Sequence, residues 1–387
     1  MEKIYFDNSA TTKMSERAQK KMISVINSQF ANPSSLHALG LDAEKIVSEA
    51  RERILKSLGV LRGVKGELIF TSGGTESNNI AIFGVVNSKK RRGNEKIMTT
   101  MGEHSSVEEP MKRLEALGYT VLRVPTKNGE LDLEFIRKNA DGVILASLMH
   151  VNNETGALYN VSDAFDIIRE KSPEAVCHTD CVQSYMKVKL TKKSLGADLI
   201  SISAHKINGA KGVGALYISP DILKAKKIVP IVYGGGQEAN FRSGTENVYG
   251  IAAFGEAALE HYESLSSQIA DMEELRAYIK DSLATLGVTV NEPKNHAPHI
   301  INVTVDGIRS ETLLHFLSSK GVYVSSGSAC ASNSAKKASA ALLSFGKTEN
   351  EADSSIRISL SPYNTKNEAD ALILSIKEAI SSLQRKK

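Results

Sequence analysis

The stretch Ser201–Tyr217 reads SISAHKINGAKGVGALY. Its first residues close an apolar run that starts at Asp198, and its last residues belong to a second apolar run that starts at Gly214. Between these two predicted strands lies a glycine-rich turn with two lysines, Lys206 and Lys211. Burial beside strands lowers the pKa of an amine, and such an amine forms Schiff bases with carbonyl compounds. The stretch therefore predicts a reactive lysine, but the turn alone leaves both lysines, and a plain basic surface loop, open.

Apolar strands alternate with helices on both sides of this stretch. Strands are predicted over residues 67–71, 97–100, 120–124, 143–148, 175–180, 198–202 and 214–218, and helices over 14–26, 36–58, 78–86, 105–117 and 164–170. Strands that are apolar throughout and alternate with helices are typical of a parallel sheet covered on both faces. Such sheets bind ligands at the carboxyl ends of their strands. Polar clusters follow three of the strands here, over residues 102–105, 150–154 and 180–183.

A smaller domain is predicted from the C-terminal third of the chain. Apolar residues spaced three to four apart from Tyr262 to Leu283 predict one long bridging helix. Beyond it, strands over 299–305, 322–324 and 355–359 and helices over 311–319 and 366–383 indicate an α+β unit. We therefore expect an α/β protein with a large domain over residues 14–255 and a small domain formed by residues 1–13 and 256–387.

The composition excludes several classes of protein. It is that of an ordinary globular chain, with 41% hydrophobic residues and a net charge of +4 over 387 residues. No apolar run is long enough to span a membrane, and no long Lys/Arg run suggests direct nucleic-acid binding. Three cysteines are too few for a disulfide scaffold, and no spacing of ligands predicts a metal site. Because the N-terminus also lacks the apolar segment of a signal peptide, we expect a cytoplasmic protein.

The segment TSGGTES, residues 71–77, follows a predicted strand and precedes a predicted helix. Glycines allow the backbone to approach an anion, and the free N–H groups and dipole of a helix N-terminus attract it. The segment matches neither the P-loop nor the dinucleotide fingerprint. It indicates a phosphate site, with an ordinary strand-to-helix turn as the open alternative.

These features together meet the needs of one cofactor, pyridoxal phosphate. The cofactor requires a lysine for a Schiff base, a carboxylate beside the pyridine nitrogen, a phosphate cup and a flat side chain against the ring. The chain offers Lys206, Asp180 at the end of a strand, the Gly73–Thr75 turn and His104. We therefore expect pyridoxal phosphate to be bound at the carboxyl ends of the central strands.

Ten segments in the same order along the chain resemble cysteine desulfurases. They are residues 7–12 (DNSATT), 32–35 (NPSS), 71–77 (TSGGTES), 103–104 (EH), 149–156 (MHVNNETG), 178–180 (HTD), 203–206 (SAHK), 242–245 (RSGT), 325–330 (SSGSAC) and 354–357 (SSIR). These enzymes form part of the class V aminotransferases, within the fold-type-I pyridoxal-phosphate enzymes. The resemblance is nearly full length and favours Lys206 over Lys211 as the reactive lysine.

The resemblance implies a role for each residue of the site. Lys206 would carry the cofactor and move protons at the substrate α-carbon, and His104 would stack on the ring and handle protons. Asn153 and Arg357 would bind the substrate carboxylate, for which a bidentate guanidinium is suited. The implied cofactor-binding residues are Gly74, Thr75, His104, Asp180, Gln183, Ser203, His205, Lys206 and, from the other subunit of a homodimer, Thr245.

The resemblance also implies a nucleophile, Cys330, that takes sulfur from the substrate. A reactive thiolate needs an accessible segment, and residues 325–336 are small and polar, which predicts a mobile loop. Cys177 lies inside a predicted strand and is expected to be an inert core residue. Cys181 follows Asp180, where relatives more often have alanine, and its role stays open.

The expected activity is therefore that of a cysteine desulfurase. L-cysteine would give L-alanine and a persulfide on Cys330, which an iron–sulfur scaffold or a tRNA- or cofactor-thiolating protein would accept. A selenocysteine lyase or an aminotransferase of the same fold is the first alternative, although an aminotransferase has no use for a mobile thiol. A non-catalytic sulfur carrier is the second. Two segments depart from the common pattern, Ser184–Met186 and Ser361–Asn364, and the second leaves open how carboxylate recognition is tuned. The chain ends soon after its last predicted helix, so partner choice stays open.

Overall fold

The computed structural model describes residues 3–91, 93–326 and 338–384. Its helices are α1 Glu16–Ser28, α2 Ala38–Ser57, α3 Gly74–Ser88, α4 Ser105–Ala116, α5 Leu133–Asn139, α6 Val161–Lys171, α7 Lys192–Leu195, α8 Pro220–Lys224, α9 Val248–Ala284, α10 Ser310–Ser319, α11 Ala340–Phe345, α12 Glu349–Asp353 and α13 Lys366–Leu383. Its strands are β1 Ile4–Tyr5, β2 Leu68–Thr71, β3 Lys96–Thr100, β4 Thr120–Val124, β5 Thr126–Lys127, β6 Glu130–Leu131, β7 Val143–Met149, β8 Val176–Asp180, β9 Leu199–Ser203, β10 Gly214–Ile218, β11 Thr289–Val290, β12 Ile300–Thr304, β13 Val322–Tyr323, β14 Ser325–Ser326 and β15 Ser355–Ser359.

The predicted central sheet is confirmed. It has seven strands in the order β2-β10-β9-β8-β7-β3-β4, and β9, β8, β7, β3 and β4 run parallel. Strand β10 is antiparallel to both of its neighbours. The connection from β9 to β10 is a short turn, whereas a parallel connection needs a crossover of a dozen or more residues. Apolar side chains pack on both faces of the sheet, as expected for strands that are apolar throughout.

A second sheet lies in the C-terminal part of the chain. Its four strands are antiparallel in the order β11-β12-β15-β14, and a separate apolar cluster packs around them with α10, α13 and the C-terminal half of α9. The N-terminal strand β1 pairs with β13 and therefore joins this part of the protein. The predicted α+β unit is thus confirmed as an element pattern, and the N-terminal residues lie beside it.

Two helix predictions were wrong at their N-termini. Helix α3 begins at Gly74 rather than at residue 78, so the glycine-rich turn supplies the first turn of the helix. Helix α9 begins at Val248 rather than at Tyr262. Its first turns are rich in glycine and alanine and buried on nearly all sides, so they lack the amphipathic spacing that marks the later turns.

The large residues at 185 and 186 are accommodated in the core. Tyr185 is fully buried, its hydroxyl lies 2.6 Å from Ser57 Oγ, and its ring meets Phe254 edge-to-face with centroids 6.4 Å apart. Met186 is buried and has a positive φ of 55°, a conformation that costs an L-residue about 1–2 kcal/mol. The residues that depart from the common pattern at these positions are therefore part of the core.

Candidate active site

Ten of the predicted site residues converge on one cavity of about 430 Å³ at the carboxyl ends of the central strands. Strands β7, β8 and β9, the start of α3 and Arg357 of the small sheet all contribute to its wall. The predicted residues that line it are Gly74, Thr75, His104, Asn153, Asp180, Gln183, Ser203, His205, Lys206 and Arg357. A larger groove of about 900 Å³ runs along α2 and α9, but it is an open surface without any of these residues.

Lys206 is the lysine that enters the cavity. It ends a short 3₁₀ turn that follows β9 directly, and its Nζ donates to the carbonyl oxygens of Ser9 and Ala10 at 2.5 and 2.8 Å. Lys211 lies farther along the turn and is exposed. The turn thus presents two lysines in different surroundings, and only Lys206 borders the other predicted site residues.

A hydrogen-bonded chain connects Asp180 with His104. Asn78 Nδ2 donates to Asp180 Oδ2 at 2.7 Å and to Ser106 Oγ at 2.8 Å, and Ser106 Oγ lies 2.8 Å from His104 Nδ1. The Ser106 N–H also donates to His104 Nδ1, because His104 caps the N-terminus of α4. Burial lowers the pKa of His104, with an opposing effect from Asp180. The ring is therefore neutral near pH 7, with Nδ1 as an acceptor and the proton assigned to Nε2.

The start of α3 lies on the cavity wall and is suited to binding an anion. The first backbone N–H groups of a helix have no partner within the helix, and α3 begins at Gly74 on this wall. A Cβ at Gly74 would lie 2.6 Å from Val182 Cγ2, so this position requires glycine. Ser203 Oγ is buried and has no partner among the described residues. His205 is neutral near pH 7, because burial and then Lys206 lower its pKa to about 4.

These groups fit pyridoxal phosphate. The start of α3, the Asp180 carboxylate and the Lys206 amine all line the same cavity. Their chemistry suits, in that order, the phosphate, the pyridine nitrogen and the aldehyde of the cofactor. Gln183 donates to the Ser9 carbonyl at 2.9 Å, and its buried Oε1 has no partner among the described residues. An orphaned acceptor and an orphaned hydroxyl in one buried cavity indicate a polar ligand rather than an apolar one.

Arg357 approaches the cavity from the second sheet, in the middle of β15. Its Nη1 donates to the Asn153 carbonyl oxygen at 2.8 Å, and its Nη2 donates to Asp7 Oδ1 at 2.7 Å. The Nε–H is buried and has no partner among the residues that the structure describes. Arg357 therefore keeps a donor for a ligand oxygen while two of its other N–H groups fix the orientation of the guanidinium.

Glu103 carries a carboxyl group that burial keeps protonated. Thr100 Oγ1 and the Met149 N–H donate to Oε1 at 2.6 and 2.8 Å, while Oε2 is buried without a partner in the described part of the chain. Burial raises the pKa of Glu103 to about 8, and the hydrogen bonds from Thr100 and Met149 oppose this rise. A neutral acid thus lies directly before His104 in the sequence.

Replacing Glu103 with glutamine should flatten the pH dependence of stability. The folded-state pKa lies above the ordinary value of 4.5, so this contribution to stability is complete below pH 4.5 and is lost as the pH rises through about 8. Calorimetry should show a smaller fall in Tm from about pH 5 to about pH 9 for Glu103→Gln than for the wild type. Exposed Glu109 supplies the control, Glu109→Gln, which should follow the wild type. Equal falls in the wild type and Glu103→Gln would contradict a protonated Glu103.

Two of the three cysteines are buried free thiols. Cys177 lies in β8 and Cys181 follows it, and burial raises the pKa of each to about 12, so both remain thiols at neutral pH. Cys330 and most of the predicted loop lie outside the described residues. The loop prediction was wrong for Ser325 and Ser326, which form β14 and pair with β15. The backbone of these two serines is hydrogen-bonded in a sheet, which their composition alone does not reveal.

Thr245 is the one described site residue that the structure does not bring to the cavity. It lines a separate groove of about 220 Å³ together with residues 29–33 and 246–249. This groove contains the Asn32–Pro33 part of the NPSS segment. Thr245 therefore does not reach the cavity within its own chain.

Sequence reasoning left several residues of this site without a role. Asp7 was noted only as part of a motif, and Asn78 and Ser106 were not singled out at all. Asn78 lies one helical turn after Gly74, and Ser106 two residues after His104, so proximity to predicted site residues was the available signal.

Lys187 is a buried lysine that the sequence did not single out. Its Nζ has no partner among the described residues, and burial places its pKa well below the ordinary value.

Two further predictions concern absences. In residues 3–91, 93–326 and 338–384, no group of three or more His, Cys, Asp or Glu side chains is placed to hold a metal ion. Within the same ranges, none of the helices combines the length and apolar character needed to cross a lipid bilayer.

Comparison with known proteins agrees with the fold. A family model described as aminotransferase class-V matches residues 4–372. The chain belongs to the class-V aminotransferase family. Class-V aminotransferases of this kind are pyridoxal-phosphate-dependent, as the cavity indicates.

Individual relatives of this class-V aminotransferase cover nearly its whole length. A cysteine desulfurase IscS of Dictyoglomus turgidum is 37% identical over 386 residues, which are 98% of this chain and 95% of that protein. A solved NifS-like protein superposes with a TM-score of 0.91 at 36% identity, covering 98% of this chain and all of that one. A solved SspA in complex with cysteine has a TM-score of 0.79 at 30% identity, covering 94% of this chain and 100% of that one.

Proposed function

We propose that this protein is a pyridoxal-phosphate-dependent cysteine desulfurase. It converts L-cysteine into L-alanine and leaves the sulfur as a persulfide on Cys330. The observation that carries the proposal is the single cavity shared by Lys206, Asp180, His104 and Arg357, which joins a cofactor site to a carboxylate-binding arginine. The cysteine desulfurase names of its relatives, and the cysteine bound by one of the solved structures, support the same substrate.

The residues of the cavity divide into those that would hold the cofactor and those that would hold the substrate. Asp180 would bind the pyridine nitrogen, and Gln183 the ring hydroxyl, while Gly74, Thr75, Ser203 and His205 would surround the phosphate. Bound there, the cofactor supplies an electron sink that stabilises negative charge at the substrate α-carbon. The hydrogen bond from Asn78 to Asp180 Oδ2 and the one from the Val182 N–H to Oδ1 fix the orientation of the carboxylate.

Proton and sulfur transfer would then use three side chains. The Lys206 amine takes the proton from the substrate α-carbon, and neutral His104, which carries its proton on Nε2, serves proton transfer beside the ring. The Cys330 thiolate attacks the substrate sulfur, so an S–S bond forms while the C–S bond breaks. The released carbon fragment takes up protons to become alanine. The sum is L-cysteine plus enzyme thiol giving L-alanine plus enzyme persulfide, and a reductant then frees sulfide.

Replacing Arg357 with alanine should mainly raise KM for L-cysteine. The substrate would lose a charged hydrogen bond worth about 1.5–3 kcal/mol, which corresponds to about a 10- to 150-fold increase. Steady-state alanine production measures this. Arg309→Ala is the matched control, because Arg309 also pairs with an aspartate, Asp353 at 3.0 Å, but lies exposed and away from the cavity. An unchanged KM in Arg357→Ala would remove Arg357 from carboxylate binding.

The proposal includes a cytoplasmic homodimer. Thr245 of one subunit would reach the phosphate site of the other, which is consistent with its place in a separate groove of its own chain. Phe30, which lines that groove and is 81% exposed, favours burial of this face against a second copy. We also propose the domain division at residues 14–255, supported by the separate apolar cluster of the second sheet. A sulfur-accepting scaffold or thiolation protein completes the set of partners.

The direct test is to identify the products that the protein forms from each of three alternative substrates in separate assays. Purified cofactor-loaded protein is given L-cysteine, L-selenocysteine, or L-alanine with a keto acid, each with a reductant present. A cysteine desulfurase forms alanine and sulfide from L-cysteine in equal amounts. Turnover of selenocysteine alone would indicate a selenocysteine lyase, transfer of the amino group to the keto acid an aminotransferase, and no turnover a non-catalytic carrier.

A further inference from the structure

We propose that Asp7 positions Arg357 and thereby determines selection for substrates with an α-carboxylate. The proposal rests on the proposed role of Arg357 in binding that carboxylate. Asp7 Oδ1 accepts a hydrogen bond from Arg357 Nη2 at 2.7 Å, and the Asp7 side chain also lines the cavity. The side chain of Arg357 is only 6% exposed, so its charge is held beside one carboxylate in a largely enclosed site.

The guanidinium is held from two sides. Asp7 binds Nη2, and the Asn153 carbonyl binds Nη1, so both ends of the fork are fixed. The buried Nε–H has no partner among the described residues and is left for a ligand. This Nε–H is thus the guanidinium donor that can bind an oxygen of a substrate carboxylate as a charge-assisted hydrogen bond. Loss of the Asp7 bond would free the guanidinium to rotate away from this arrangement.

The backbone at Asp7 is itself anchored to the strand that carries Arg357. Asp7 forms a parallel bridge with Ser359, whose N–H donates to the Phe6 carbonyl at 2.7 Å, and the Ser9 N–H donates to Ser359 Oγ at 2.9 Å. Asn8 Nδ2 donates to the Ser359 carbonyl at 3.0 Å. The Asp7 carboxylate and the Arg357 guanidinium therefore extend from two backbone segments that are hydrogen-bonded to each other. Asp7 is thus held in place to fix the orientation of Arg357.

A matched pair of ligands separates positioning from folding. L-cysteine has an α-carboxylate, and cysteamine is the same molecule without it. If Asp7 acts through Arg357, Asp7→Ala should raise KM for L-cysteine by about 10- to 100-fold, as expected for one charged hydrogen bond, and leave cysteamine unaffected. Asp7→Asn keeps an oxygen that accepts from Nη2 and should restore most of the affinity. Binding of L-alanine, followed by the change in cofactor absorbance, gives a readout that does not depend on turnover.

Two further variants separate the alternatives. Asn8→Ala removes the hydrogen bonds of Asn8 to the Ser359 carbonyl and to Asn364 but leaves the Asp7–Arg357 bond in place. It therefore tests whether weaker anchoring of the N-terminal segment is enough to change KM. It should leave KM for L-cysteine close to the wild-type value. In the double variant Asp7→Ala/Arg357→Ala, KM should equal that of Arg357→Ala alone, because a residue that acts only by positioning Arg357 has no effect once Arg357 is removed.

Each failure has its own signature. An unchanged KM in Arg357→Ala would contradict the proposed carboxylate site, whereas a raised KM there with an unchanged KM in Asp7→Ala would overturn the role of Asp7 alone. Equal losses for L-cysteine and cysteamine in Asp7→Ala, or the same KM increase in Asn8→Ala, would show that Asp7 serves only to anchor the N-terminal segment. Additive effects in the double variant would likewise overturn positioning through Arg357.

Discussion

Lys206→Ala protein is expected to lack both the yellow colour of lysine-bound pyridoxal phosphate and measurable desulfurase turnover. Lys206 is the only described lysine that lines the cavity, and it ends the 3₁₀ turn that follows β9. Removing it eliminates the covalent link to the cofactor aldehyde and the base at the substrate α-carbon. Proton transfer by a positioned side chain is worth about 10²–10⁴-fold on its own, so the total loss should exceed this range. Visible absorbance and alanine production measure the two effects.

Lys211→Ala is the matched control for this experiment. Lys211 lies in the same glycine-rich turn but is exposed, so the variant should keep the colour and turnover of the wild type. A visible spectrum in Lys206→Ala that equals that of the wild type would refute the assignment. Loss of colour in Lys211→Ala instead would transfer the role to the other lysine that the sequence left open.

Cys330→Ser protein is expected to bind L-cysteine at the cofactor but to form neither alanine nor sulfide. A serine hydroxyl is not deprotonated near pH 7 and is a poor acceptor of sulfur, so no S–S bond forms and the C–S bond stays intact. Binding should appear as a change in cofactor absorbance on addition of L-cysteine. Sulfide release in the presence of a reductant is the second measurement. Wild-type turnover in this variant would remove Cys330 from the mechanism.

Cys181→Ala is the control for the thiol assignment. Cys181 directly follows Asp180, but it is fully buried and burial raises its pKa to about 12. A thiol in that environment supplies almost no thiolate at neutral pH. The variant should therefore release sulfide like the wild type, and a loss of sulfide release comparable to that of Cys330→Ser would identify Cys181 as a second essential thiol.

The fold could be predicted where a local pattern of apolar residues indicates a strand or a helix. Apolar runs such as 143–148 and 198–202 predicted the buried parallel sheet, and the amphipathic spacing after Tyr262 predicted the later turns of α9. The start of α9 was missed because a helix buried on nearly all sides has no polar face to set its period. The antiparallel orientation of β10 depends on its pairing partners, which no local pattern reports.

The site residues that lie within the matching sequence segments were predictable. Lys206, Asp180 and Arg357 belong to the matching segments, and the structure brings them to one cavity. The Asp7–Arg357 bond was not predictable, because it joins residues 350 positions apart in the chain. The Asn78–Asp180 bond spans 102 positions and depends on how α3 packs across β8. Such contacts arise only from tertiary packing, whereas composition and spacing describe neighbours along the chain.

Mass spectrometry of the protein after a single turnover with L-cysteine tests the central claim most directly. The account predicts one added sulfur atom per chain, located on the peptide that contains Cys330, together with an equal amount of alanine. The modification should disappear on reduction with release of sulfide. Alanine formation without any added sulfur on Cys330, or sulfur found on Cys177 or Cys181 instead, would contradict it.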